Sequence, residues 1–283
     1  MFTTDTLEGQ TIFITGGGSG LGLAMAKKFA SLGSNIAICG RTEEKLNRAV
    51  EEIDDAGPGQ ARYYVADVRD YDRMEEVIRS IVDDFGEMTG LVNNAAGNFL
   101  AASEELTPGG FKSVVDIVLH GSFNCTHHFG KYLIENDRKG NILSIVTTYA
   151  ESTGSAFVLP SACGKAGVLT MTRSLAYEWA TYGIRLNAIA PGPFPTEGAW
   201  TRLVPDERFE EKYLSKIPAG RYGDPDELAN LAAFLVSDMA EYITGECVVI
   251  DGGERLGAGQ FNFIDQLAPR DQLKQFFEQL KRS

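Results

Sequence analysis

The chain has 283 residues, 43% of them hydrophobic, and a formal net charge of −13. That length allows one large α/β domain or two small ones, and the apolar content supports a sizeable core. The acidic balance argues against nucleic acid and anionic membrane surfaces as partners, so an anionic ligand must be met by a local basic cluster. No apolar run approaches the roughly 18 residues of a membrane span, and the N-terminus lacks a signal-peptide pattern. Cys39, Cys125, Cys163 and Cys247 show no CxxC spacing, which reads as reduced packing thiols in a cytoplasmic protein.

The β-branched and aromatic run from Thr11 to Ile14 reads as a buried strand. Gly16, Ser19, Gly20, Leu21 and Gly22 follow, and Leu21 opens a helical pattern. A strand, a glycine-rich turn and a helix N-terminus together make a pyrophosphate site, because the glycines permit close backbone approach and the helix offers free N–H donors. The competing reading is a plain strand-to-helix turn. A second strand spans Asn35 to Cys39, with a helix from about Glu43 to Ala56. Dinucleotide folds place an acidic side chain after this strand for the ribose 2′-hydroxyl. Here Gly40 and Arg41 stand there. A guanidinium pairs with a 2′-phosphate, which favours NADP(H) over NAD(H), unless Arg41 is only a solvated loop residue.

Arg62 to Ala66 is the third strand, and Asp67-Val68 after it can accept from an adenine amino group. A helix from Asp70 to Phe85 carries a core stripe. Strand four, Gly90 to Asn93, leads into Asn94, Ala95 and Gly97, small enough overall to admit a cofactor ribose. One long helix is expected over 108–135, strand five over 140–146, and a helix over 160–181. Strand six, 184–189, runs into Pro191, Gly192 and Thr196, and a helix over 226–237 precedes the last strand, 247–250. Strands alternating with long helices predict a doubly wound parallel sheet of Rossmann type, as one domain over 1–260.

Thr15 to Gly22, Asn93 to Gly97, Pro191-Gly192 and Asp251-Gly-Gly resemble the short-chain dehydrogenase/reductase family in order and spacing. That resemblance implies an NAD(P)(H) cofactor and direct hydride transfer. Most members use Tyr-x-x-x-Lys on the helix after strand five, the lysine lowering the pKa of the tyrosine and holding the nicotinamide ribose. Here the helix reads Ser161-Ala-Cys-Gly-Lys165, so the lysine is present and the tyrosine is not. The asparagine usual on the preceding helix is replaced by Val118. Ser-x-x-x-Lys, Thr147 to Glu151, Asn94 to Phe99, Asp116 to Leu119 and Pro191 to Gly198 are together similar to the 2,4-dienoyl-CoA reductases, in which a tyrosine at the end of strand five takes the acid role. Tyr149 matches it. The loop from Tyr149 to Ser161 is one residue longer than in the mitochondrial-type reductase, and His120 stands where that enzyme has an asparagine on the thioester oxygen.

The resemblance implies fatty acid β-oxidation chemistry: NADPH reduces a 2,4-dienoyl-CoA at its δ carbon, and proton return at carbon gives a 3-enoyl-CoA. Tyr149 and His120 are expected to stabilise negative charge on the thioester oxygen, unless His120 is a packed helix residue. Lys165 is expected on the nicotinamide ribose, Ser161 near the thioester or ribose, and Thr196 on the nicotinamide amide or pyrophosphate. Arg202, Arg221 and Arg255 are candidate partners for the phosphates of CoA, each also readable as a solvated charge. Beyond residue 260, Leu273, Phe276, Phe277 and Leu280 recur at helical spacing. This amphipathic tail over 261–283, with the family habit of packing helices between subunits, points to a homotetramer. Two rival functions remain open: reduction of another carbonyl or enoyl-CoA substrate, and a catalytically silent NADP-binding protein.

Overall fold

The computed structural model describes residues 2–196 and 206–281 and, of residues 265 and 266, the backbone alone. Seven strands form one sheet: β1 (Thr11–Thr15), β2 (Asn35–Gly40), β3 (Ala61–Val65), β4 (Gly90–Asn93), β5 (Gly140–Ile145), β6 (Ile184–Pro191) and β7 (Cys247–Ile250). All neighbours are parallel and the order is β3-β2-β1-β4-β5-β6-β7. Strand direction in sequence reverses beside β1, where β2 lies on one side and β4 on the other. Both loops leave the carboxyl ends there, opening the crevice in which such sheets bind ligands.

The inner strands are apolar on both faces because helices cover both. Ile12, Ile14, Ile36 and Ile38 point into a core with Met25, Ala26 and Phe29 of α1 (Gly20–Ser31) and Leu46 and Ile53 of α2 (Glu43–Asp54). Phe13, Ala37 and Cys39, the alternate positions, point to the opposite core against Val77 and Ile81 of α3 (Tyr71–Phe85). That period of two, buried on either side, is the signature of an internal parallel strand.

The helix expected over 108–135 is continuous but not uniform. It is α4 (Pro108–Val115), then a π-turn over Asp116–His120, then α5 (Gly121–Glu135). A Cβ at Gly121 would meet Val68 Cγ2 at 2.5 Å, so the helix approaches the end of β3 closely just after the bulge. Two short helices escaped the pattern reading: α6 (Thr148–Glu151) at the end of β5, and α8 (Glu207–Leu214), capped by Asp206. Between them α7 (Leu159–Trp179) starts at Ser161's turn, and α9 (Pro225–Val236) carries a full capping box at Asp224 and Glu227. The tail helix is α10 (Arg270–Leu280). Only Leu273 of its stripe is buried; Phe276, Phe277 and Leu280 are exposed. Among the described residues no helix is long and apolar enough to cross a membrane, and the four cysteines are free.

Candidate active site

Thr15 and Asn94 join the two loops of the crevice. Thr15 Oγ1 accepts from the backbone N–H groups of Asn94 and Ala95, each at 3.0 Å. Asn94 Nδ2 in turn donates to the carbonyl oxygens of Thr15 at 3.0 Å and Gly16 at 3.2 Å. Gly16 and Gly20 adopt positive φ, +66° and +55°, which a side chain resists. Gly22 is required for space: a Cβ there would sit 2.5 Å from the Gly16 carbonyl oxygen. Thr196 lies over the turn, 3.3 Å from where a Gly20 Cβ would be.

A groove of about 570 Å3 runs across this switch point. Gly16, Ser19, Gly20, Leu21, Arg41, Asp67, Val68, Asn94, Ala95, Gly97, Pro191 and Thr196 line it, together with Tyr149, Ser161 and Lys165. Gly22 and Gly192 do not face it. They are spacers, Gly192 because a Cβ would meet Asp251 Cβ at 2.7 Å. At the β2 end Arg41 is joined by Thr42 and Lys45 of α2. Neither cation has an ion-pair partner among the described residues. Lys45 was missed in the sequence; its signal is a lysine in the first turn of the helix that Arg41-Thr42 begins. Asp67 is held by Arg69, which donates to it through Nε at 3.0 Å and Nη2 at 2.6 Å, and that contact keeps the carboxyl below its ordinary range.

At the other end of the groove Tyr149 Oη lies 3.0 Å from Ser161 Oγ, twelve residues on. Ser161 is buried on the first turn of α7 and Lys165 one turn later, 6% exposed, with its ammonium donating to the Ile145 carbonyl oxygen. Burial brings the Lys165 pKa down to about 8, since the charged form loses its water. Thr147 also lines the groove, and its hydroxyl is buried with no hydrogen-bond partner among the described residues. Nothing in its spacing marks it out. An orphaned hydroxyl facing a groove is a group waiting for a ligand's polar atom.

His120 is not brought to this site. Its side chain is 61% exposed, and Nδ1 donates to Asp116 Oδ1 at 3.0 Å, the same carboxylate that Lys112 grips. The bulged turn ends at His120, and the i, i+4 pairing on the helix surface holds its ring outside the groove. Arg221 and Arg255 are also corrected as free phosphate partners. Arg221 makes a two-pronged pair with Glu227 at 2.8 and 2.7 Å, and Arg255 pairs with Glu151 at 3.2 Å. Arg202 lies outside the described residues.

Sheet order, glycine turn and a lysine on the helix after strand five place the chain in the short-chain dehydrogenase/reductase family, whose members are oxidoreductases. The family model that matches residues 16–254 is described as enoyl-(acyl carrier protein) reductase. Within the family the chain resembles the 2,4-dienoyl-CoA reductases. A Bacillus subtilis (strain 168) protein named probable 2,4-dienoyl-CoA reductase, (2E)-enoyl-CoA-producing, is 44% identical over 90% of this chain and 100% of its own. A Caenorhabditis elegans protein named probable 2,4-dienoyl-CoA reductase 3, (3E)-enoyl-CoA-producing, is 43% identical over 88% of this chain and 81% of its own. Among solved structures, a short chain dehydrogenase from Bacillus anthracis superposes with a TM-score of 0.80 at 43% identity, covering 89% of this chain and 98% of that one.

Proposed function

We propose that the protein reduces 2,4-dienoyl-CoA thioesters with NADPH, in the oxidation of unsaturated fatty acids. The observation that carries this is the Tyr149–Ser161 contact beside Lys165. It supplies a phenol at the groove although the helix itself has lost one. The rival reading as a silent NADP-binding protein has no use for that phenol.

The groove fits a phosphorylated dinucleotide. Gly16, Ser19 and Gly20 open the N-terminus of α1 to a pyrophosphate, and Arg41 and Lys45, without an ion-pair partner among the described residues, suit a 2′-phosphate. A solved putative NAD(P)-dependent gluconate 5-dehydrogenase from Beutenbergia cavernae, 32% identical with a TM-score of 0.82 over 89% of this chain and 99% of that one, holds NADP at low occupancy. When bound, NADPH supplies a hydride for the far end of a conjugated thioester. Tyr149 donates its O–H to the thioester oxygen as negative charge gathers there, and Ser161 orients the phenol. Lys165, in its charged form, adds a favourable field beneath both and binds the ribose. Thr147 offers a second hydroxyl to the same groove.

Proton return from Tyr149, or from a water it positions, leaves a 3-enoyl-CoA when it falls on the α carbon and a 2-enoyl-CoA when it falls on the γ carbon; the two relatives are named for different products. The 3-enoyl product is the one assigned to this chain. The test is NADPH consumption with a short 2,4-dienoyl-CoA, a saturated ketone and a mono-enoyl-CoA, with the double bond of the product located by NMR. Turnover of the ketone alone would overturn the assignment. The reading extends to a cytoplasmic homotetramer, supported by the four free cysteines and by the exposed Phe276, Phe277 and Leu280 of α10; light scattering tests the assembly.

A further inference from the structure

We infer that Arg255 is a positioning residue for Tyr149, acting through Glu151; this rests on the reading of Tyr149 as the proton donor. Tyr149 stands on α6, a single four-residue turn whose N-terminus has no side-chain cap. Isolated turns of this length do not hold themselves. Among its local hydrogen bonds are Ala150 N–H to Thr147 O at 3.1 Å and Gly154 N–H to Tyr149 O at 2.7 Å. Beyond it the chain passes through a run of exposed residues, 152–157, in which Phe157 takes the unusual φ of +65°. Ser161 orients the tip of the phenol, but a contact from outside the segment must still fix the turn that carries the ring.

The Glu151 carboxylate does so by accepting from Arg255 Nη1 at 3.2 Å across 104 residues. The guanidinium is presented from a firm base. Asp251, at the end of β7, accepts from the Gly253 N–H through Oδ1 at 2.9 Å and from the Arg255 N–H through Oδ2 at 2.8 Å. A continuous path therefore runs from the sheet through Asp251 and Arg255 to Glu151, two residues from Tyr149. Both charges also act on the partly buried Cys247 thiol beneath them. The side chains are 37% and 24% exposed, so the pair adds little to global stability. Its value is orientation, and loss of reacting geometry by about 1 Å costs up to a hundredfold in rate.

The experiment compares Arg255→Gln, Arg255→Lys and Glu151→Gln with wild type by steady-state kinetics, thermal melting, NADPH binding and hydrogen exchange of the peptide spanning 147–157. Arg255→Gln should lower kcat about tenfold, leaving KM and NADPH affinity within about twofold and the melting point nearly unchanged. Exchange in 147–157 should rise about fivefold. Arg255→Lys should recover most of kcat, and Glu151→Gln should match Arg255→Gln, with the double variant no worse than either single. Unchanged exchange, or a lysine variant as slow as the glutamine one, overturns the proposal. Full activity of Tyr149→Phe would instead overturn the proton-donor reading and leave the exchange result standing, so the two failures are told apart.

Discussion

Replacing Tyr149 by phenylalanine keeps the ring and removes one oxygen, the one 3.0 Å from Ser161 Oγ. The ring is only partly buried and the lost contact is a single neutral hydrogen bond, so folding should change by about 1 kcal/mol. Catalysis should change far more. Deleting one preorganised donor to a developing oxyanion costs roughly 3–4 kcal/mol, or about 100- to 1000-fold in kcat. Ser161→Ala breaks the same hydrogen bond but leaves the phenol in the groove, so it should cost less than about tenfold. The assay is the loss of NADPH absorbance with a 2,4-dienoyl-CoA, run beside thermal melts and NADPH titrations to show that folding and cofactor binding survive. A serine variant slowed a thousandfold beside a phenylalanine variant near wild-type speed would refute the reasoning, because the acid would then be the helix hydroxyl.

Lys165→Met should abolish turnover while stabilising the ligand-free protein at pH 7, by up to about 3 kcal/mol, since the native state otherwise holds a charge whose pKa falls from 10.5 to about 8 by burial. The cost is complete below the folded pKa of about 8, shrinks as pH rises because the native lysine gives up its proton before the unfolded one, and vanishes above 10.5; urea unfolding of both proteins at pH 7 and pH 10 reads the gap. The same titration should give kcat/KM an alkaline limb near pH 8. Arg41→Ala and Lys45→Ala should each weaken NADPH about tenfold or more with NADH little affected, charge-assisted hydrogen bonds being worth roughly 1.5–3 kcal/mol; equal losses for both cofactors would remove the 2′-phosphate role. Gly22→Ala should lose NADPH binding and melt earlier, because its methyl would stand 2.5 Å from the Gly16 carbonyl oxygen; a normal NADPH titration would show that the turn has room to move.

What the sequence made legible is what short-range pattern controls. Inner strands buried on both faces read as apolar runs, so β1, β2 and β4 to β6 lie within two residues of their expected bounds, and the edge strands β3 and β7 do as well. The glycine turn was legible because Gly16 and Gly20 need a backbone conformation that other residues resist. The misses share a different cause. The π-turn at 116–120 leaves the composition of an ordinary helix untouched, yet the direction of His120 is set there by Asp116. Arg221 and Arg255 look in sequence like free surface cations, and only the fold brings Glu227 and Glu151 to them. Lys45 was hidden for the converse reason: it reads as a solvated helix residue until the groove is seen to end beside it.

The same contrast accounts for the unusual partition of the proposed catalytic groups. An ammonium must stand beneath the groove, and Lys165 reaches that place from one turn into α7, where the Ile145 carbonyl oxygen accepts one of its hydrogen bonds. A phenol is less constrained, because its ring can enter from any element that meets the groove wall. From α6, Tyr149 delivers its oxygen to within 3.0 Å of Ser161 Oγ, on the turn just before the lysine. Twelve residues separate the two positions in the chain, and one hydrogen bond separates them in space. On the proposed reading the proton donor has changed its point of attachment far more than its place in the groove. What it gives up is the rigidity of a 21-residue helix for that of a four-residue one, and an anchor such as Arg255 is what that exchange requires.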